Sequence, residues 1–130
     1  MEKAKKGEFN EQIRERTMRM AVAIHELLLN TKVSPVTRPI VNQLIRSSSS
    51  VASNYRAATR SRSDAEFYSK ICIVVEEIDE TQFWLDYLER IHLLEREDRL
   101  KLFTEVDELV RLFTSIKSKM KEKLRQEQPK

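Results

Sequence analysis

Residues 46–56 of this chain read RSSSSVASNYR, and residues 76–85 read EEIDETQFWL. In and around both stretches, apolar or small residues recur at alternating steps of three and four, which is the spacing of one face of an α-helix. Around the first stretch they are Val41, Leu44, Ser48, Val51, Tyr55 and Ala58. Around the second they are Phe67, Ile71, Val74, Ile78, Thr81, Leu85, Leu88 and His92. Each region therefore predicts one long amphipathic helix.

The same periodicity predicts four helices in all, at about 8–30, 36–60, 64–93 and 97–126. Pro35 separates the first two, because proline cannot continue a helix. Ser63, with Glu66 three residues later, is the capping-box pattern that begins a helix. One glycine and three prolines leave little material for the turns of an all-β fold. We predict a single all-α domain over residues 1–130, folded as an antiparallel up-down-up-down four-helix bundle.

The composition indicates a cytoplasmic protein without a membrane partner. No apolar run approaches the roughly 20 residues of a membrane span, and the start, MEKAKK, lacks the apolar segment of a signal peptide. The single cysteine, Cys72, excludes an internal disulfide framework and fits a reducing compartment.

The net charge of +3 conceals a strong segregation of charge along the chain. Residues 1–62 carry 12 Lys/Arg and 5 Asp/Glu, residues 63–116 carry 6 and 14, and residues 117–130 carry 6 and 2. Such segregation allows opposite charges to pair within or between subunits, and it also leaves a basic surface available to a polyanion. The sequence leaves both interpretations open.

No set of residues matches a catalytic or metal centre. Ser47–Ser50 lie within a helix, without the strained turn or nearby base that activates a serine nucleophile. His25, His92 and Cys72 do not have the spacing of zinc ligands. The acidic cluster at 76–80 lacks the Glu-x-x-His partners of a di-metal bundle, so cations of the first half are expected opposite it. We predict a non-enzymatic protein with no catalytic residue, no metal and no cofactor.

A basic stripe on the second helix is the best candidate for a functional surface. About one third of the helix circumference holds Arg38, Asn42, Arg46, Ser49, Ser53, Arg56 and Arg60, and Arg62 follows in the turn. Because arginine's planar fork matches phosphate oxygens, we predict nucleic-acid contacts from Arg38, Arg46, Arg56, Arg60 and Arg62. The alternative is a solvated or ion-paired face. A second basic segment, 117–125, spreads around its helix, and a solvated end is its favoured interpretation.

Packing and interface roles are predicted for several small and aromatic residues. Ser48 and Tyr55 fall on the apolar side of the second helix, where a small serine lets a neighbouring helix approach closely. Trp84 and Ile91 lie away from the main apolar face of the third helix, and surplus apolar surface of this kind indicates a homo-oligomer.

A combination of short motifs resembles the 23S rRNA intervening-sequence protein family, whose members are small bacterial four-helix-bundle proteins. The motifs are RSSSSV at 46–51, NYR at 54–56, Ser63, Phe67, Lys70, Glu77, Glu80-Thr81 and Trp84-Leu85. The resemblance implies an up-down-up-down bundle that assembles as a ring-like homopentamer. It also matches four residues with characteristic family positions, interpreted as packing and interface residues: Asn54, Glu77, Glu80 and Trp84. Ala57 departs from the family pattern, in which an acidic residue is common, and leaves the neighbouring arginine surface more positive.

The same resemblance implies two kinds of partner. A related group serves as accessory proteins to the reverse transcriptases of diversity-generating retroelements, where a basic pentameric barrel binds nucleic acid and the enzyme. Our leading hypothesis is an oligomer that binds structured RNA or DNA through its arginines. The alternative is a structural adaptor whose charges serve self-assembly and whose partner is a protein such as a polymerase or reverse transcriptase.

Overall fold

Four helices make up the computed structural model, which describes residues 2–128. They are α1 (Glu2–Leu29), α2 (Arg38–Thr59), α3 (Asp64–Arg90) and α4 (Arg96–Glu127). No strand occurs within residues 2–128, and the all-α prediction is confirmed. The predicted bounds lie within three residues of the observed ones except at the start of α1. That helix begins at Glu2 instead of residue 8. Residues 2–6 are good helix formers, and the cost of about 1 kcal/mol for Gly7 does not interrupt the helix.

A hydrogen-bonded turn leads into α2. The N–H of Ser34 donates to Oγ1 of Thr37 at 3.0 Å, and the N–H of Arg38 donates to the Ser34 carbonyl at 2.9 Å. Pro39 follows in the first turn of the helix, where its missing N–H leaves no hydrogen bond unmade. The helix therefore begins at Arg38, two residues later than predicted.

The two ends of α3 are capped in different ways. Ser63 has an extended backbone and its hydroxyl accepts from the N–H of Glu66 at 3.1 Å, as the capping pattern predicts. At the other end His92 adopts a left-handed conformation, with φ of 63°. The N–H of Leu93 then donates to the Leu88 carbonyl at 3.0 Å, which is the Schellman arrangement. The prediction that His92 continues the apolar face of α3 is wrong, since His92 is exposed and ends the helix.

Neighbouring helices run antiparallel. Side-chain contacts between α3 and α4 show this: residues later in α3 contact residues earlier in α4. Asp64 pairs with Lys123, Gln82 with Asp107, and Glu89 with Arg99. Helix α2 packs against α1 and α3, and α4 packs against α3 and α1. The α2–α3 seam is the most extensive and the α1–α4 seam the least. The order is that of the predicted up-down-up-down bundle.

The core is apolar apart from a few hydroxyl side chains. Tyr55 and Phe113 are its largest fully buried side chains, with ring centroids 5.3 Å apart. Ser47 and Thr81 are also fully buried, and their hydroxyl oxygens lie 3.0 Å apart across the α2–α3 seam. Small residues at this position let the two helices approach closely.

Candidate nucleic-acid interface

The fold brings the two basic segments of the sequence to one end of the bundle. Because neighbouring helices are antiparallel, α1 begins where α2 and α4 end. This end comprises residues 2–14, 56–66 and 117–128, which carry 12 lysines and arginines against 7 acidic residues. The opposite end, residues 22–42 and 86–104, carries 6 of each. We call the first region the basic end.

Arg56 lies in the last turn of α2, Arg60 is the residue that follows the helix, and both are exposed at the basic end. Together with Arg14 of α1 they line an open cleft of about 340 Å³. Nη1 of Arg14 donates to Oγ1 of Thr59 at 3.1 Å, which holds this guanidinium against α2. The other residues of the wall are Glu11, Glu15 and Met18. Glu11 pairs with Arg14, whereas no carboxylate of residues 2–128 forms an ion pair with Arg56 or Arg60.

Arg62 lies beside a second cleft, of about 200 Å³, between the α2–α3 turn, α1 and the last turns of α4. Lys6 of α1 supplies its other cation. At its edge Nζ of Lys123 lies 2.9 Å from Oδ2 of Asp64. The hydrogen bond from Lys123 lowers the pKa of Asp64, because it stabilises the ionised form of the carboxylate that pairs with α4. This ion pair connects the second basic segment to the start of α3, next to the turn that contains Arg62.

The predicted arginine stripe is exposed but does not form one contact patch. Arg38, the first residue of α2, lies at the opposite end of the bundle from Arg60. Their positions in the sequence differ by 22, which corresponds to roughly 33 Å of helix. Arg38 is exposed and forms no ion pair within the described part of the chain. Arg56, Arg60 and Arg62 belong to the basic end, Arg46 lies midway, and Arg38 is remote from both.

Arg46 is engaged by α3. Its Nη2 lies 2.7 Å from Oε1 of Glu80 and its Nη1 lies 3.4 Å from Oε2 of Glu77. Nε1 of Trp84 donates to the same Glu80 oxygen at 3.2 Å. Burial raises the pKa of Glu80, but the hydrogen bonds from Arg46 and Trp84 outweigh it, so the pKa lies below its ordinary value. The hydrogen bond with Glu80 likewise raises the pKa of Arg46. The four side chains form one charged network, which we call the Arg46 network.

The remaining predicted packing residues all lie on α2. Ser48 is buried and its hydroxyl donates to the Ile45 carbonyl at 3.2 Å. Asn54 is half-buried, and its amide donates to the carbonyl and to the hydroxyl of Ser50, each at 2.9 Å. Tyr55 is buried and its hydroxyl donates to Oδ1 of Asn10 at 3.3 Å. Burial raises the pKa of Tyr55 to about 12.

Sequence reasoning missed the residues that other helices contribute. Lys6 and Arg14 of α1 lie beside the α2 arginines because the helices are antiparallel, and that topology was the signal that could have found them. Arg16 was missed as well. It joins α1 to α4 through a 2.8 Å hydrogen bond from Nε to Oε1 of Glu105, and it also pairs with Glu108. This contact bridges the least extensive seam of the bundle.

The residues weighed for catalysis or metal binding are distributed over α1, α2, α3 and the turn after α3. His25 and His92 are both exposed, and Cys72 is a free, half-buried thiol on α3. Within the described residues no group of three or more His, Cys, Asp or Glu side chains is placed to hold a metal ion. None of the four described helices is long and apolar enough to span a membrane.

The order of the helices and their antiparallel packing define a small four-helix-bundle protein. The sequence matches the family described as 23S rRNA-intervening sequence protein over residues 10–115. The chain belongs to this family. It is also similar to a crystal structure of a protein of unknown function from the S23 ribosomal protein family of Bacteroides thetaiotaomicron VPI-5482, with 28% identity and a TM-score of 0.72. The match covers 81% of this chain and 97% of that one. No curated protein matches the sequence significantly.

Proposed function

We propose that this protein binds structured RNA or DNA through the basic end of its bundle. One observation supports this above all others. Lysines and arginines from α1, α2 and α4, which are far apart in the sequence, meet at one end of the bundle, whereas the opposite end has no net charge. A concentrated positive surface attracts the phosphate backbone and releases its counterions.

Arg56 and Arg60 are the strongest candidates for phosphate contacts. Both are exposed, and neither forms an ion pair with a carboxylate of residues 2–128. Their guanidinium groups are therefore available, whereas that of Arg46 already faces two glutamates. The exposed aromatic residues Phe83 and Tyr87 lie about 30 Å along α3 from the basic end. Proteins that bind single strands stack the bases on aromatic side chains next to the phosphate contacts. Because these aromatic residues lie far from the basic end, a double-helical nucleic acid is favoured over a single strand as the ligand.

Fluorescence anisotropy of a labelled RNA hairpin and a labelled DNA duplex, measured across a salt series, tests the proposal. The variant Arg56→Glu/Arg60→Glu should weaken binding by at least about tenfold and lower the slope of log affinity against log salt by about two. The matched control is Arg90→Glu/Arg96→Glu, which changes the charge equally at the opposite end. Equal losses in the two double variants, or no binding by the wild type at low salt, would overturn the proposal.

A second candidate function is favoured by the exposed face of α3. Phe83, Trp84 and Tyr87 form a cluster with ring centroids 4.8 to 6.1 Å apart, and Phe83 is 55% exposed. Exposed apolar surface of this kind suits a partner. The protein would then be a cytoplasmic adaptor that assembles as a homo-oligomer, a ring-like pentamer by family resemblance, and binds a polymerase or reverse transcriptase. Light scattering of Phe83→Ser/Tyr87→Ser tests this, because an oligomer that uses the face should dissociate.

A further inference from the structure

Ser61, which lines the second cleft of the basic end, has a buried hydroxyl without a hydrogen-bond partner among residues 2–128. In the described part of the chain, three buried side-chain atoms have no hydrogen-bond partner: Ser61 Oγ, Glu77 Oε2 and Arg99 Nε. The latter two each face an opposite charge within 3.5 Å, but the Ser61 hydroxyl has no such neighbour. A buried polar group left without a partner costs roughly 1–3 kcal/mol. Ser61 lines the cleft, and its hydroxyl would form the missing hydrogen bond with a bound ligand by rotating toward the cleft.

The other polar groups of the cleft are mainly unused donors. Oδ1 of Asn10 already accepts from Tyr55, which leaves the Asn10 amide N–H groups for another acceptor. Oγ of Ser63 accepts from the Glu66 backbone, which leaves its own O–H to donate. The ammonium of Lys6 and the guanidinium of Arg62 add two positive charges.

The one carboxylate of the cleft is already neutralised. Asp64 forms its 2.9 Å ion pair with Lys123 of α4 and also interacts electrostatically with Lys6, but because Lys123 balances its charge, the positive charges of Lys6 and Arg62 remain as the net charge of the group. The N-terminus of α3 adds a positive partial charge at the same place. The cavity, of about 200 Å³, is several times the roughly 30 Å³ that one water molecule occupies in the liquid. Free donors, net positive charge and this volume suit a tetrahedral oxyanion.

We propose that this cleft binds a single phosphate group of the nucleic acid, held by Lys6, Asn10, Ser61, Arg62 and Ser63. This proposal rests on the proposed function and gives it a defined contact, which we call the phosphate cleft. A backbone phosphodiester and a 5′-terminal phosphate share this chemistry, and the experiment separates them.

The first experiment uses inorganic phosphate and the full chain. In a ¹H–¹⁵N NMR titration at constant ionic strength, phosphate should produce saturable shifts in the amides of residues 59–66, and chloride should not. Lys6→Gln should weaken the phosphate affinity by roughly five- to tenfold, as expected for loss of a charge-assisted hydrogen bond. Lys32→Gln, at the opposite end, is the control. A wild type without saturable shifts, or a Lys6→Gln variant that binds phosphate as the wild type does, overturns the phosphate cleft.

Ser61→Ala provides a readout that does not depend on charge. Without phosphate this variant should melt at the same temperature as the wild type or higher, because an unsatisfied buried hydroxyl has been removed. The rise in Tm that phosphate causes should be smaller than in the wild type. An undiminished rise would show that Ser61 does not contact the anion and would overturn its place in the cleft.

The second experiment compares one RNA duplex with and without a 5′-phosphate. If a backbone phosphate occupies the cleft, Lys6→Gln lowers the salt slope by about one for both duplexes. If a terminal phosphate does, the loss is confined to the phosphorylated duplex. Tight duplex binding that ignores Lys6→Gln and Ser61→Ala overturns the phosphate cleft and leaves the proposed function standing. Saturable binding of inorganic phosphate without duplex binding overturns the proposed function instead.

Discussion

Arg46 and Glu80 join α2 to α3 through a 2.7 Å hydrogen bond between Nη2 and Oε1, and Trp84 donates to the same oxygen. Arg46 was predicted as a phosphate contact, while Glu80 and Trp84 were predicted as packing or interface residues. In the structure the Arg46 guanidinium contacts Glu80, so the predicted phosphate contact and the predicted packing residues belong to one network. Charge reversal at Arg46 therefore perturbs the α2–α3 seam as well as any ligand contact, and Arg56 and Arg60 are the cleaner probes of binding.

The Arg46 network should stabilise the fold modestly. Arg46→Met is expected to lower the free energy of unfolding by about 1 kcal/mol, since the guanidinium is half-exposed and pairs of this kind are worth little more. Urea denaturation measures this, and a double-mutant cycle with Glu80→Gln should give a favourable coupling energy. Arg38→Met, which removes an exposed arginine without an ion pair in residues 2–128, is the control. Strictly additive effects in the cycle would show that the contact contributes no stability.

Sequence periodicity predicted the helices because each apolar face is a local pattern, and Ser63 marked the start of α3 because its cap depends on one residue three positions away. The end of α3 was harder to locate. A left-handed residue there is usually glycine, and His92 carries no such signal. The basic end was missed for a different reason: it depends on which helix termini lie together, which no single segment of sequence encodes. Arg46 and Arg56 both lie on the exposed face of α2, and the sequence of that helix does not distinguish them. They differ because Glu77 and Glu80 of α3 lie opposite Arg46.

Close packing between α2 and α3 can be tested at Ser47. This side chain is fully buried against Thr81, so Ser47→Leu must force the helices apart and should cost about 1–3 kcal/mol of stability. Ser49 is exposed on the same helix, and Ser49→Leu should change stability by less than about 0.5 kcal/mol. Thermal or urea unfolding of the two variants provides the comparison. Equal effects would mean that the seam is looser than the structure shows.

The left-handed residue at the end of α3 offers a stabilising substitution. A non-glycine residue in this conformation costs roughly 1–2 kcal/mol, so His92→Gly should raise the free energy of unfolding by about 1 kcal/mol. The same substitution at His25, which is exposed in the interior of α1, should lower it by about the same amount, because glycine is a poor helix former. Opposite signs in the two variants are expected in urea titrations. A loss of stability in His92→Gly would contradict the left-handed geometry.

Tyr55 should make the fold sensitive to alkaline pH. Burial raises its pKa to about 12, whereas the unfolded chain should have a tyrosine pKa of about 10. Because the folded pKa is the higher one, the stability associated with the neutral phenol is complete below about pH 10 and is lost as the pH rises from there through about 12. The loss approaches roughly 1.4 kcal/mol per pH unit between the two values. Urea denaturation at a series of pH values should show this fall in the wild type and a shallower one in Tyr55→Phe. Tyr87→Phe, which alters an exposed ring, should retain the steep fall. A Tyr55→Phe variant with the wild-type pH dependence would assign the alkaline sensitivity to other groups.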